Sequence, residues 1–133
     1  MSNRTVAEKL GLKPGHTVYV INAPDDYAKL VQGLPDGAEV IDDHPADAVH
    51  LFARGHAELD AHIEEAIDAV GPGGMLWVSY PKDGTTDIDR DSLWPAFTPY
   101  RWRPVRHVSV DARWSALRFR PETDPSAPRD PFS

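Results

Sequence analysis

Five polar side chains follow the predicted strands of this chain where each strand ends, and these residues are the best placed to do chemistry. They are Asn22, Asp42, Asp43, Arg54 and Lys82. Ligands of open α/β sheets bind outside the carboxyl ends of the strands, so these side chains could line one small-molecule cleft. Arg54 and Lys82 would hold an anion there, and Asp42 or Asp43 would bind ribose hydroxyls. The competing interpretation is a set of solvated loops and helix caps, because strand ends are polar wherever the chain leaves its core.

The histidines form no recognisable metal-binding motif. No two of the six are spaced four residues apart on one helix, and the sequence has no HExxH. His50 falls in a predicted buried strand, where a hydrogen-bonded core histidine is the simpler interpretation. His44 beside Asp42 and Asp43 is the cluster that comes nearest to a metal-ligand set. We therefore predict no metal site.

Nucleophilic residues also lack the sequence context that catalysis requires. The chain has no cysteine, which excludes thiolate nucleophiles, disulfides and cysteine-ligated metals. Ser79 lies within a predicted strand and not at a nucleophile elbow, while Ser92 and Ser115 have no visible base. The sequence thus predicts no catalytic residue.

The elements that must position these side chains alternate between helix and strand. The predicted helices cover 5–10, 24–32, 56–70 and 87–97, and the predicted strands cover 16–22, 38–41, 47–52, 75–80, 105–110 and 114–120. The clearest helix is 56–70, because Leu59, Ile63 and Ala66 belong to one apolar stripe at helical spacing. Strand 75–80 follows a Gly-rich turn and carries no charge, as expected of a central strand covered on both faces.

This order of elements predicts an α/β fold with helices on both faces of the sheet. Right-handed crossovers place the first four strands in the order 2-1-3-4, all parallel. The last two strands surround Asp111-Ala-Arg113, so they predict a C-terminal antiparallel hairpin beyond the fourth strand.

The length of 133 residues predicts a single domain, which we assign to 1–120. Four prolines within 121–133 predict a disordered tail. The first residues lack the apolar segment of a signal peptide, and no run reaches the roughly 18 apolar residues of a membrane span. We therefore expect a soluble cytoplasmic protein that makes no membrane contact.

Charge is distributed unevenly along the chain. The formal net charge of −7 argues against a general nucleic-acid binder, which would need clustered Lys and Arg. Residues 25–68 hold twelve Asp and Glu, whereas residues 100–120 hold six arginines. Two solvated faces would explain this pattern. The alternatives are a basic patch that binds phosphate, or oppositely charged faces that join subunits into a homo-oligomer through the Arg-rich hairpin.

Several motifs resemble known families. Gly71-Pro-Gly-Gly74 with the apolar strand after it resembles the turn and strand of class I S-adenosylmethionine-dependent methyltransferases. More extensively, 5–120 resembles a family of small bacterial proteins catalogued as a domain of unknown function. The motifs shared with that family are Ala7-Glu-Lys-Leu-Gly-Leu-Lys-Pro-Gly15, Val20-Ile-Asn-Ala-Pro24, Ala48-Val-His-Leu-Phe52, Gly73-Gly-Met-Leu-Trp-Val-Ser79, Pro81-Lys82 and Trp114-Ser115. The resemblance implies a truncated, methyltransferase-like Rossmann sheet and no particular activity.

The chain departs from the methyltransferase pattern at the turn after its first strand. A Gly-rich loop there lets the backbone approach the cofactor closely. This chain instead reads Asn22-Ala-Pro-Asp-Asp26, with no glycine before Gly33. Side chains would occupy the approach, and two carboxylates would repel a nucleotide phosphate. We therefore expect no cofactor, and bound S-adenosylmethionine in the usual pose is disfavoured.

Three functional hypotheses follow. The first is a non-catalytic module that binds a small anionic ligand or a protein partner. The second is an enzyme that binds S-adenosylmethionine or a nucleotide in the cleft at the carboxyl ends of the strands. The third is oligomerisation through the Arg-rich hairpin, which added salt would weaken if the contact is charge-paired.

Overall fold

One sheet organises the computed structural model, which describes residues 5–24, 27–43, 45–82, 84 and 86–121. The strands are β1 Thr17–Ile21, β2 Glu39–Ile41, β3 Ala46–Phe52, β4 Val70–Pro81, β5 Trp102–Ser109 and β6 Trp114–Pro121. The helices are α1 Val6–Lys9, α2 Tyr27–Leu30, α3 His56–Ala69, α4 Arg90–Leu93 and a 3₁₀ helix Trp94–Tyr100. Among the described helices, none is long and apolar enough to cross a membrane.

The sheet has the order β2-β1-β3-β4-β6-β5. β2, β1, β3 and β4 pair in parallel, and β6 pairs antiparallel with both β4 and β5. This arrangement confirms the predicted α/β fold class with its terminal hairpin. Because β1 has β2 on one side and β3 on the other, the topological switch point lies between β1 and β3.

Side chains of the central strand β4 alternate between two buried layers. Leu76 and Val78 pack on the face covered by α3, α4 and the 3₁₀ helix, which we call the α3 face. Met75 and Trp77 pack on the opposite face, covered by α1 and α2, which we call the α1 face. The Trp77 indole N–H also donates to the Leu10 carbonyl at 2.9 Å. Burial on both sides explains why this strand carries no charge.

Helix α1 begins and ends where its sequence predicts. The Thr5 hydroxyl accepts a hydrogen bond from the Glu8 backbone N–H at 3.2 Å, and the Glu8 carboxylate accepts one from the Thr5 N–H at 3.2 Å. This is the reciprocal capping box. Gly11 ends the helix at φ +76°, a conformation that glycine adopts without steric cost.

Helix α2 is shorter than the predicted 24–32. It covers Tyr27–Leu30, and Gln32 and Gly33 both take positive φ values that stop the helix. The side-chain oxygen of Gln32 accepts a hydrogen bond from the backbone N–H of Val6 at 3.0 Å. The end of α2 therefore includes a hydrogen bond to α1, and the local sequence around Gln32 does not predict this long-range contact.

The Gly-rich segment 71–74 belongs to the start of β4, where a separate tight turn was predicted, and the pairing register with β3 shifts across it. A Cβ on Gly74 would lie 2.9 Å from the Gly71 carbonyl oxygen, which real Cβ atoms do not tolerate. Gly73 has φ +72°. Glycine is thus required here for close backbone approach and for a left-handed residue.

The predicted helix 87–97 divides into α4 and the 3₁₀ helix. Asp89 caps α4, its carboxylate accepting from the Ser92 N–H at 2.9 Å. Pro95 lacks an N–H and disfavours continuation of an α-helix, so the chain tightens into a 3₁₀ helix that contains Pro99.

Some predicted features lie outside the described residues: the Asp25–Asp26 pair, His44 and the tail from Glu122 onward. Pro121, predicted to begin the tail, is instead the last residue of β6 and pairs with Trp102. The hairpin strands are therefore longer than predicted, since β5 begins three residues before the expected 105.

Candidate functional site

The predicted site residues lie along the carboxyl edge of the parallel strands. Asn22 follows β1, Asp42 and Asp43 follow β2, and Arg54 and Lys82 come just after β3 and β4. Asp42 and Asp43 are exposed. The topology therefore brings all five to one edge of the sheet, as expected for parallel strands. Their role in ligand binding stays a prediction.

Asn22 adopts the left-handed conformation, with φ 59°. Asparagine is among the few residues with a side chain that visit this region readily. The residue after β1 thus takes a backbone conformation that favours glycine although it carries a side chain. This position lies at the switch point, where ligands of open α/β sheets bind.

Arg54 and Lys82, the predicted anion-binding pair, each contact other side chains of this chain. The Arg54 guanidinium carbon lies 5.5 Å from the ring centroid of Trp114, which packs on the α1 face. Its Nη1 atom also lies 3.3 Å from a carboxylate oxygen of Glu58. The Lys82 ammonium instead donates to the Ser109 hydroxyl on the last strands. Trp114 pairs with Pro81, the residue before Lys82, so both cations lie near the end of β4, and their joint role in anion binding stays a prediction.

A buried tyrosine, histidine and serine form a hydrogen-bonded row beneath α2, which we call the closed trio. The Tyr27 hydroxyl lies 2.8 Å from Nδ1 of His50, and Nε2 of His50 lies 2.6 Å from the Ser79 hydroxyl. Their exposed fractions are 7%, 2% and 0%. The row ties α2 to β3 and β4, and it confirms His50 as a hydrogen-bonded core histidine.

Burial holds the closed trio in its neutral form. It lowers the pKa of His50 from 6.5 to about 3 and raises the pKa of Tyr27, because a charge would lose its hydration without gaining a counter-ion. The Phe52 ring stacks on His50 with centroids 4.3 Å apart and closes that side. The order of groups resembles a nucleophile–histidine–acid row, but Ser79 has no exposed surface to offer a substrate.

A second tyrosine–histidine pair lies on the α3 face, in a cleft of about 340 Å³ that we call the open cleft. The Tyr80 hydroxyl and Nε2 of His107 are 2.9 Å apart. The remaining lining residues are Pro81, Lys82, Gly84, Asp89, Arg90, Asp91 and Ser115. Lys82 is the predicted site residue that takes part in this cleft.

Two cations set the electrostatics of the open cleft around His107. Partial burial lowers the pKa of His107, and the positive charges of Arg90 and Lys82 lower it further. The pKa of Tyr80 is raised, chiefly by burial. At neutral pH the pair is therefore uncharged, and Lys82 and Arg90 supply positive charge beside it.

Sequence reasoning missed Tyr80, Arg90 and His107 as neighbours. His107 and Ser109 are two positions apart in a predicted strand, and this spacing indicates that they share one face of the sheet. The cross-strand register that brings this face to Tyr80 was not readable from the sequence, because the two residues are 27 positions apart.

Metal ligands do not cluster within the part of the chain that the structure describes. No group of three or more His, Asp or Glu side chains there could hold a metal ion. His44 lies outside the described residues, so its cluster with Asp42 and Asp43 stays untested.

Comparison with known proteins identifies the fold. No protein-family model and no curated protein matches the sequence. The chain is similar to the solved structure of a DhpI–SAH complex, with TM-score 0.60 and 16% identity over 87% of this chain and 82% of that one. It is also similar to a ribosomal protein L11 methylase from Lactobacillus delbrueckii subsp. bulgaricus, with TM-score 0.60 and 11% identity over 86% and 74%. A DhpI–SAM–HEP complex matches with TM-score 0.56 and 13% identity over 87% and 84%. The chain therefore has a Rossmann-like fold of the class I methyltransferase type.

Proposed function

We propose that this protein is a non-catalytic ligand-binding module on a methyltransferase-like fold, and that its ligand is a small anion held in the open cleft. The observation that carries the proposal is the convergence of Lys82, Arg90 and the Tyr80–His107 pair at the carboxyl end of β4. Two cations and neutral polar groups, which include the hydroxyl of Ser115, suit a carboxylate or a phosphate.

The acidic residues of the open cleft have partners of their own. The Asp89 carboxylate accepts the capping hydrogen bond of α4, and an Asp91 oxygen lies 3.3 Å from Nε of Arg90. The Lys82 ammonium is anchored by the Ser109 hydroxyl. An arriving anion would therefore meet a cation held in place, which reduces the entropy lost on binding.

The absence of catalysis is supported by the state of the closed trio. Its serine lies 2.6 Å from Nε2 of His50 in a nucleophile-like geometry, and it is fully buried. The trio therefore acts as a structural bridge between α2 and the sheet. The glycine-free sequence of the β1 turn supports the same proposal, because a Gly-rich loop at that position is what lets the backbone approach an adenosyl cofactor closely.

A second candidate is an enzyme that binds S-adenosylmethionine or a nucleotide at the switch point. The left-handed Asn22 favours it, since the backbone there has the conformation that a glycine would take. The solved structures with bound SAH and SAM are similar to this chain in fold. Asp42 and Asp43 would contact ribose hydroxyls in this arrangement.

The test is isothermal titration calorimetry of the full chain with inorganic phosphate, citrate, S-adenosylmethionine and S-adenosylhomocysteine, which measures the affinity for each compound. Lys82→Gln should weaken phosphate or citrate binding about tenfold or more, since a hydrogen bond to a charged group contributes about 1.5–3 kcal/mol. Lys13→Gln, which removes the same charge from an exposed loop before β1, is the matched control and should leave affinity unchanged.

Two outcomes would reject this proposal. If Lys82→Gln binds the anions as wild type does, the open cleft is not their site. If adenosyl compounds bind and Asn22→Leu abolishes that binding, the second candidate replaces the first. We propose in addition that the protein belongs to the small bacterial family that its motifs resemble, and that it is cytoplasmic.

A further inference from the structure

A second cleft lies at the opposite edge of the sheet, where β4 begins and β6 ends. Its volume is about 510 Å³. We call it the arginine cleft, and its lining residues are Val70, Gly71, Pro72, Gly73, Gly74, Trp102, Arg118, Arg120 and Pro121. Because β4 separates the two clefts along its length, a ligand of the open cleft would not reach this one.

Like charges face each other across the strands beside the arginine cleft. Arg106 is directly opposite Arg118, and Arg103 is directly opposite Arg120, in the β5–β6 register. Like charges in direct cross-strand positions destabilise a sheet. A hairpin that places four guanidinium groups in two such pairs concentrates positive charge beside the cleft, which favours an anion there.

Arg118 is the residue of the cleft whose own contacts are incomplete. Its Nε is buried, and among the described residues it has no hydrogen-bond partner. Burial and the neighbouring charges of Arg120 and Arg106 lower its pKa. A buried donor without an acceptor is unfavourable, so such a group in a folded protein calls for a bound water, ion or ligand.

We propose that the arginine cleft binds a phosphate-bearing small molecule, with Arg118 and Arg120 as its anion contacts. The planar fork of a guanidinium group matches two oxygens of a phosphate, and a pair of forks can hold one phosphate or a diphosphate. The Gly-rich start of β4 fixes the facing wall, because Gly74 leaves no room for a side chain. Trp102 supplies an apolar wall for the rest of the ligand.

The chain itself holds a competing source of anionic oxygens. Glu122 directly follows Pro121, which lines the arginine cleft, and Asp124 comes two positions after Glu122. Their carboxylates share the chemistry that a guanidinium recognises, so the test must separate a free phosphate from the chain's own acids. Glu122→Gln with Asp124→Asn in the full chain provides that arm.

The experiment is a titration of the full chain with inorganic pyrophosphate, observed through the arginine Nε–H signals in ¹H–¹⁵N spectra. We expect the Arg118 signal to shift and saturate. Arg118→Gln and Arg120→Gln should each weaken the affinity about tenfold, whereas Arg113→Gln at the far end of the same hairpin should change it less than about twofold. Lys82→Gln should also leave it unchanged, which separates this site from the open cleft.

Ligand-free stability gives an independent readout. Without pyrophosphate, Arg118→Gln should raise the melting temperature, because it removes a partly buried charge that faces another arginine. A merely structural arginine would lower it. A failure of the Arg118 signal to saturate, or an equal loss of affinity in Arg113→Gln, would overturn the proposal. So would saturable binding that appears only in the Glu122→Gln, Asp124→Asn chain, because the occupant would then be the chain's own carboxylates.

Discussion

Two tyrosine–histidine pairs of nearly equal length occupy opposite faces of the same sheet. The hydroxyl-to-nitrogen distance is 2.8 Å for Tyr27–His50 and 2.9 Å for Tyr80–His107. A serine accompanies each pair, Ser79 in the closed trio and Ser115 in the open cleft. The first pair is sealed among Phe52 and other core side chains, while the second lies beside Lys82 and Arg90. Identical residue types therefore make a core bridge in one place and a candidate ligand site in the other.

The difference between the pairs comes from their surroundings and not from their own chemistry. Burial lowers the pKa of both histidines, but only His107 also senses neighbouring cations. A neutral pair that is buried away from water stabilises the fold through its hydrogen bonds. A pair that lies next to cations and solvent can instead form hydrogen bonds with a ligand. Variants of the two pairs can test this contrast directly.

The largest expected effect is the removal of the buried histidine. His50→Ala should lower the free energy of unfolding by about 3–5 kcal/mol, since it opens a cavity and leaves the Tyr27 and Ser79 hydroxyls without their partner. His107→Ala should cost less than about 1 kcal/mol, because water replaces its contacts. Urea unfolding of both variants near neutral pH measures the contrast. Equal losses would show that the two pairs do not differ in burial.

The next effect is a pH dependence that belongs to the closed trio. The folded pKa of His50, about 3, is below its unfolded value of 6.5. The stability contributed by neutral His50 is therefore complete above pH 6.5 and is lost as pH falls toward 3. Between about pH 7 and pH 5 the wild type should lose about 2 kcal/mol more than His50→Gln does. Parallel stability curves for the two proteins would contradict this.

The smallest effect compares the two tyrosine hydroxyls. Tyr27→Phe leaves Nδ1 of His50 buried without a partner, which should cost about 1–2 kcal/mol. Tyr80 is itself only 6% exposed, but its partner His107 is exposed and can bond to water instead, so the cost of Tyr80→Phe should stay below about 0.5 kcal/mol. Thermal unfolding of the matched pair gives the difference as a shift in Tm. A larger loss for Tyr80→Phe would reverse the assignment of closed and open pairs.

Local sequence signals predicted much of the fold correctly. The capping box at Thr5 and Glu8, the apolar stripe of α3 and the uncharged strand of β4 all depend on neighbours within a few residues, so they can be read directly. The α2 helix was predicted too long because its end involves the contact between Gln32 and Val6, which are distant in sequence.

The candidate sites were less accessible to sequence reasoning. Lys82 was predicted as an anion ligand, and the structure adds Arg90 and His107 beside it while turning Arg54 toward Trp114. The alternation of side chains along a strand predicts which of them share a face. It does not predict which residue of a neighbouring strand lies opposite them.

The sequence by itself determined the order of strands and helices, the parallel centre with its antiparallel hairpin, and the lack of cysteine chemistry. These follow from periodicity, turn residues and composition, which are local properties. Only the tertiary structure decided which tyrosine–histidine pair would be buried in the core and which would lie beside cationic side chains. It also decided that the arginines of the hairpin would face each other. Register and burial depend on contacts between distant segments, and these contacts set the solvent exposure, the neighbouring charges and therefore the chemistry of each side chain.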